Sequence, residues 1–214
     1  MITSGAAAGD PICAVFLTML PVDHVGVSTL GAPFDVETVC ASDRAASVLE
    51  EVQLDSGVGP CWAARAAGSP LLLHDLHAET DHDWPMLRAA ASVHGVRSVY
   101  AFPMNVGLVE VGVVDLYADD AGALKHRDVA LASAMADAAA LRIFDRVLAG
   151  EDAAETFGGS ARRVVHQATG MVCAQLRVSP EDALVIIRAH AFAAGRPVRD
   201  IAESIVAREI DFTV

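Results

Sequence analysis

The sequence lacks the features of an integral membrane protein, a disulfide scaffold or a zinc site. No window of about 18 residues is free of charge, so we expect no membrane-spanning helix. The least charged early run, residues 11–20, has no basic segment before it, which argues against a secretory signal. The four cysteines, Cys13, Cys40, Cys61 and Cys173, form no CxxC pair, and we expect them to be reduced in a cytoplasmic protein.

Catalytic motifs are also lacking. The chain has no GxSxG, P-loop, HExxH or GxGxxG signature, and its cysteines, histidines and aspartates form no recognisable catalytic arrangement. Imidazole and carboxylate groups, the ordinary metal ligands, gather between residues 74 and 84 as His74, Asp75, His77, His82 and Asp83. Their spacing fits no specific metal site, so we expect an acidic surface loop there. We expect neither an enzyme nor a metal protein.

Basic residues are scarce and unevenly placed. The chain has 15 Lys and Arg against 28 Asp and Glu. Residues 1–159 carry a net charge of −14, whereas residues 160–214 carry seven arginines and six acids, a net of +1. The tail is therefore compatible with a polyanion that the body would repel. Its aromatic residues are only Phe192 and Phe212, so we do not expect base stacking on aromatic rings to carry affinity.

The first region alternates short strand and helix patterns. Residues 96–118 predict two strands joined by a turn near Asn105–Gly107. From Leu124 to Leu148, apolar residues recur at three- and four-residue steps without glycine or proline, which is typical of a connector helix or a dimer stalk. Residues 149–161 are small, acidic and glycine-containing, and mark a boundary.

Beyond the boundary, the pattern predicts three helices. Ser160 or Gly159 can cap the first, which runs to about Leu176. Ser179 is a candidate N-cap for the second, with Pro180 at the first helical position and an end near Gly195. Residues 196–210 predict the third.

These tail residues resemble the ANTAR domain, the RNA-binding output module of bacterial antitermination regulators. The matching features are Gln167-Ala168 with Gly170, the run Ser179 to Ala183, Arg188 with Ala189 and Ala191, Ile201-Ala202, and Ile205-Val206. Many members have lysine before the glycine, where this chain has Thr169.

The body resembles the GAF domain, a small-molecule sensing fold. The residues that carry this resemblance are Leu54 to Ala64, Asp83-Trp84 with Pro85, Gly95 to Met104, and Gly112 to Ala118. The two resemblances imply an α+β fold, an antiparallel-sheet sensor domain with flanking helices, followed by an all-α three-helix bundle. We expect the sensor domain at residues 1–150, a linker at 151–160 and the three-helix domain at 161–214.

The resemblance also implies candidate sites. For RNA binding they are Arg162, Arg163, His166, Gln167, Thr169, Gly170, Arg188, Arg196 and Arg199. For a ligand pocket they are Cys61, Trp62, Trp84, Tyr100, Phe102 and Asp115, which would receive an unidentified small molecule. No Lys, Arg or second Cys adjoins Cys61, so we expect packing there rather than a redox role. Gly170 either lets a neighbouring helix pack closely or leaves room for RNA.

The expected function is transcription antitermination: the sensor domain receives a signal and controls binding of the helical domain to stem-loop RNA in nascent leader transcripts. Expected partners are RNA, a second copy of the chain and an upstream signalling protein, with no membrane. Two alternatives stay open. One is a DNA-binding regulator that uses the C-terminal helices, although Glu203 and Glu209 offset Arg199 and Arg208 there. The other is a protein-only dimerisation or ligand-sensing module.

Overall fold

The computed structural model of the chain describes residues 10–31, 34, 36–78, 84–148 and 159–212, with the backbone alone at 148 and 159–163. Contacts divide the chain into two compact units, Met1–Ala153 and Ala154–Val214. Of the predicted linker at 151–160, residues 151–158 lie outside the described residues, and the last two begin a helix.

The first unit contains a five-stranded antiparallel sheet in the order β2-β1-β5-β4-β3. The strands are β1 His24–Thr29, β2 Glu37–Ala41, β3 Leu71–Leu73, β4 Ser98–Val106 and β5 Val109–Ala118. The β4–β5 hairpin turns at Gly107, whose φ of +61° favours glycine. Central β5 pairs with both β1 and β4, and its residues from Val111 to Ala118 are buried.

Helices cover the two faces of this sheet. They are α1 Pro11–Met19, α2 Arg44–Ser56, α3 Pro60–Ala67, α4 Pro85–His94 and α5 His126–Leu148. Side chains alternate between faces along a strand. Ala101 and Val113 pack with Cys61 and Ala64 of α3, whereas the Tyr100 hydroxyl, one position away on β4, accepts from Leu124 N just before α5. The face that carries Ala101 is therefore called the α2–α3 face, and the opposite one the α5 face.

One expectation about the cysteines is wrong. Cys13 of α1 and Cys40 of β2 form a disulfide, with their Cα atoms 6.3 Å apart, although they are 27 residues apart in sequence. Both are buried because α1 packs against β1, where Val27 is the cross-strand partner of Cys40. This contact depends on the tertiary fold, which cysteine spacing does not report. Cys61 and Cys173 are free.

The second unit is the three-helix bundle that the sequence predicts: α6 Gly159–Leu176, α7 Pro180–Ala194 and α8 Val198–Val206. Ser179 caps α7 by accepting a hydrogen bond from Asp182 N at 3.1 Å, and Gly195 ends it with φ of +60°. The core combines Ala168 and Val172 with buried residues of α7 and α8. The predicted α+β fold followed by a helical bundle is confirmed. None of the described helices combines the length and the apolarity that crossing a bilayer requires.

Candidate nucleic-acid interface and sensor core

The outer face of α6 is open at its glycine. His166, Gln167 and Gly170 are exposed, while Ala168 and Val172 are buried in the bundle. A Cβ placed on Gly170 would meet no described atom within 4 Å outside its own helix. Close packing within this unit therefore does not account for the glycine, which weakens the helix by about 1 kcal/mol relative to alanine.

Thr169 does not present its hydroxyl on this face. The side chain is half-buried, and its Oγ1 donates to the Val165 carbonyl at 2.8 Å, one turn back along α6. Serine and threonine often bond to their own helix backbone in this way. The open face consequently combines an imidazole and an amide with a bare stretch of backbone.

The predicted arginines differ in how they are engaged. Arg196 donates to the Asp200 carbonyl at 3.2 Å and to Ser204 Oγ at 3.3 Å. Arg199 forms an ion pair with Glu203 at 2.9 Å, and Arg188 is half-buried. The side chains of Arg162 and Arg163 lie outside the described residues. The described candidates thus leave little free positive charge.

A hydrogen-bonded cluster fills the α2–α3 face of the first unit. We call its residues Ser28, Glu50, Gln53, Asp115 and Tyr117 the buried polar cluster; none is more than 1% exposed. Glu50 accepts from Tyr117 Oη at 2.7 Å and from Ser28 Oγ. A side chain at Gly26 would overlap the Glu50 carboxylate, so the neighbouring strand needs glycine to admit it.

Gln53 connects this cluster to α3. Its Nε2 donates to Tyr117 Oη at 3.0 Å and, at 3.4 Å, to Asp115 Oδ2, while its Oε1 accepts from Cys61 N at 2.9 Å. The Gln53 carbonyl also accepts from Trp62 Nε1 at 2.8 Å. A single glutamine thereby holds the central strand, α2 and the start of α3 together.

Burial shifts the titration of these groups. It raises the pKa of Glu50, and together with the Glu50 charge it raises the pKa of Asp115 well above its usual value. Burial likewise raises the pKa of the Cys61 thiol, with the charges of Asp115 and Glu50 acting in the same direction. Cys61 is therefore a neutral thiol rather than a reactive thiolate. Asp115 Oδ1 is buried without a hydrogen-bond partner among the described residues.

Comparison with protein families matches the GAF domain at residues 12–143 and the ANTAR domain at residues 160–206. The first match covers more than half of the chain. The chain belongs to the GAF domain family. The ANTAR domain follows in the predicted order, so the protein is a signal-sensing regulator of the ANTAR type. No curated protein matches the chain.

Two solved GAF domains share this fold at low identity. The GAF domain of a two-component sensor histidine kinase from Bacillus halodurans is 13% identical with a TM-score of 0.50, covering 64% of this chain and 91% of that one. A cyanobacteriochrome GAF domain has 14% identity and a TM-score of 0.50, covering 67% and 94%. Type II free methionine-R-sulfoxide reductase from Thermoplasma acidophilum has 19% identity and a TM-score of 0.48, covering 62% and 87%.

Within the GAF domain, the structure divides the predicted pocket residues between the two faces of the sheet. Asp115 lies opposite Ala101 in register and faces the buried polar cluster, with Cys61 and Trp62 nearby on α3. Tyr100 and Phe102 flank Ala101 on β4 and therefore face α5.

Phe102 borders a hollow of about 160 Å³ near α5, and Trp84 packs on a separate apolar cluster under α2 and α4. Glu50 and Gln53 are not among the predicted site residues. Their signal was a polar pair three residues apart within an apolar helical pattern.

The predicted loop at 74–84 is described only in part. His82 and Asp83 lie outside the described residues. Asp75 accepts from Arg97 Nη2, and this hydrogen bond lowers the pKa of the Asp75 carboxyl. Across the described parts of the chain, no cluster of histidine, cysteine or carboxylate side chains could hold a metal ion.

Proposed function

We propose that this chain is a transcription antitermination regulator whose ANTAR domain binds stem-loop RNA in nascent leader transcripts. The open α6 face at Gly170 carries the proposal. A surface glycine that no described atom approaches leaves room for a base or sugar edge next to the polar groups of His166 and Gln167. Proteins recognise RNA mainly at loops, where unstacked bases can be hydrogen-bonded.

The GAF domain acts in this proposal as the receiver of a small molecule or of an upstream signalling protein. The buried polar cluster supports a sensing role, because Asp115 Oδ1 has no hydrogen-bond partner among the described residues and an unsatisfied buried polar atom is costly. A ligand that favours one arrangement of the ANTAR domains would shift their population. Catalysis has no part in the proposal, and the chain is a non-enzyme that acts in the cytoplasm, where transcripts emerge.

A homodimer completes the proposal. On α5, the exposed side chains of Leu131, Ala134, Ala138 and Leu141 follow a three-four-three spacing, which is the repeat of a helix that pairs with another helix. Two ANTAR domains held together would bind two adjacent hairpins more tightly through effective concentration. Leu141→Glu should therefore weaken both dimerisation, measured by light scattering, and binding of a two-hairpin RNA.

The test is an anisotropy titration of the full chain against a two-hairpin RNA, a one-hairpin RNA and duplex DNA of matched length. We expect the two-hairpin RNA to bind most tightly, with affinity that falls as salt rises. A preference for duplex DNA would favour the DNA-binding alternative, although the Arg199–Glu203 ion pair already reduces the free charge on α8. Absence of binding to every nucleic acid would leave the protein-only alternative.

A further inference from the structure

Two arginines of the ANTAR domain adopt a backbone conformation that normally belongs to glycine. Arg177, directly after α6, has φ of +56°, and Arg208, two residues after α8, has φ of +61°. Among the described residues they are the only non-glycine residues with positive φ. A side chain is disfavoured in this left-handed region because its Cβ crowds the backbone. The backbone therefore gives no reason for arginine at either position, and glycine would fit better.

The side chains of these two arginines are also unengaged. Both are exposed, and within the described part of the chain neither makes a hydrogen bond or an ion pair through its guanidinium group. Arg196 and Arg199, by contrast, are held by Ser204 and Glu203. Strained backbone positions tend to occur at functional sites, where the side chain has a role that offsets the strain.

Their location connects them to the α6 face. The described side chains of α6, residues 164–176, include no Lys, Arg, Asp or Glu, so positive charge for a phosphate near the C-terminal end of this helix must come from the residues that follow or pack against that end. Arg177 immediately follows this helix. The segment after α8 also runs against the last turn of α6, because Phe212 N donates to Gln175 Oε1 at 3.2 Å. Arg208 is the second residue of that segment.

We propose that Arg177 and Arg208 bind the phosphate backbone of the RNA at the C-terminal end of α6. A guanidinium group presents a rigid fork of donors that matches two phosphate oxygens, and its charge does not depend on pH. Arg177 contributes more, since Leu176 and Val178 flank it, whereas Glu209 follows Arg208 and partly offsets its charge. The assignment rests on the proposed RNA-binding function and adds two residues to it.

The test compares Arg177→Gly, Arg208→Gly and the double variant with wild type in RNA titrations at several salt concentrations. We expect Arg177→Gly to weaken two-hairpin RNA binding by about 5- to 10-fold and to reduce the slope of log K against log salt by about 1. Because glycine suits positive φ, the melting temperature should stay the same or rise. Arg177→Lys keeps the charge and should keep most of the slope. The matched control is Arg127→Ala, which removes an exposed arginine of the GAF domain and should leave the affinity and the slope unchanged.

The results of these titrations and melting curves either support or overturn phosphate contact by Arg177 and Arg208. Weaker binding with unchanged or higher stability supports phosphate contact. Unchanged affinity and slope in both glycine variants, while Gly170→Leu abolishes binding, would overturn the assignment and leave the RNA-binding function standing. A lower melting temperature in the glycine variants would give the arginines a structural role and also overturn it. If wild type binds no hairpin RNA at any salt concentration, both proposals fail together.

Discussion

Gln53 and Gln167 are both glutamines, but one is buried and the other is exposed. Gln53 of the GAF domain is fully buried and satisfied by Tyr117, Cys61 and Asp115, whereas Gln167 of the ANTAR domain is exposed on α6 beside a bare glycine. Polar groups that bond to one another inside a domain fix its structure. Polar groups left on an open surface are available to a partner. Side-chain chemistry alone therefore does not locate a binding surface. Burial decides whether a glutamine stabilises its domain or is available to a partner.

The largest expected effect on stability comes from the Cys13–Cys40 disulfide of the GAF domain. Opening the Cys13–Cys40 disulfide should lower the free energy of unfolding of this domain by about 3.5 kcal/mol, since it frees a loop with a sequence separation of 27 in the unfolded chain. Urea unfolding followed by tryptophan fluorescence, with and without a dithiol, checks this. Both tryptophans, Trp62 and Trp84, belong to the GAF domain. An unchanged wild-type midpoint, or a dithiol-induced loss in Cys40→Ala as large as that in wild type, would contradict the expectation.

Replacing the two glutamines tests the comparison itself. Gln53→Ala should destabilise the GAF domain by about 3 kcal/mol, because it leaves buried groups of Cys61 and Tyr117 without their partners. Gln167→Ala, its matched control on the open face, should leave the unfolding midpoint of the ANTAR helices, followed by circular dichroism, unchanged and weaken RNA binding instead. If both substitutions lowered the stability of their domains equally, burial would not distinguish the role of Gln53 from that of Gln167.

The charge state of the buried polar cluster gives the next effect, with the opposite sign. The raised pKa of Asp115 means that its carboxyl loses its proton at a higher pH in the folded domain than in the unfolded chain, where it ionises near pH 4. Ionisation then favours the unfolded state, and stability falls as the pH rises from about 4 through the folded-state pKa. Asp115→Asn should therefore raise the free energy of unfolding at pH 7 by about 1–2 kcal/mol and flatten this pH dependence.

Exposed Asp137→Asn serves as the control for that change and should leave the profile as it is. If Asp115→Asn made the domain less stable and left the dependence of its unfolding free energy on pH unaltered, the raised pKa of Asp115 would be refuted. This result would assign Asp115 a hydrogen-bonding role that asparagine does not fill.

The smallest expected effect concerns His24, the first residue of β1. His24 Nδ1 contacts Asp43 Oδ2 at 2.7 Å and its Nε2 contacts Asp119 Oδ1 at 3.2 Å. Burial alone would lower the pKa of His24, but hydrogen bonds and charges from these aspartates outweigh it and raise the pKa. This stabilisation is complete below about pH 6.5 and is lost as the pH rises through the folded-state value.

His24→Asn should accordingly remove about 0.5 kcal/mol at pH 6 and little at pH 9. Urea midpoints at the two pH values give the comparison. A constant difference between variant and wild type across this range would mean that the charge of His24 does not contribute.

Local signals made most of the fold predictable. Ser179 caps α7 and Gly195 ends it as the sequence predicts, because capping depends on only a few neighbouring residues. The two family resemblances are likewise confirmed by the matches at residues 12–143 and 160–206.

Contacts between distant segments were not predictable in the same way. The Cys13–Cys40 disulfide depends on α1 packing against the sheet, and the Glu50 contact with Tyr117 depends on α2 packing against the sheet at β1 and β2. The predicted pocket residues Tyr100 and Asp115 fall on opposite faces because strand register, which the sequence does not display, assigns each side chain to a face.

In the proposed complex, RNA approaches α6 at Gly170. The difference in two-hairpin RNA affinity between two Gly170 variants measures this approach. Gly170→Ala adds one methyl group and strengthens the helix, whereas Gly170→Leu fills the open face. With circular dichroism confirming that both fold, we predict that Gly170→Leu loses at least about 2 kcal/mol of two-hairpin RNA binding, roughly 30-fold, and that Gly170→Ala loses much less. Wild-type affinity in the folded Gly170→Leu variant would contradict the account.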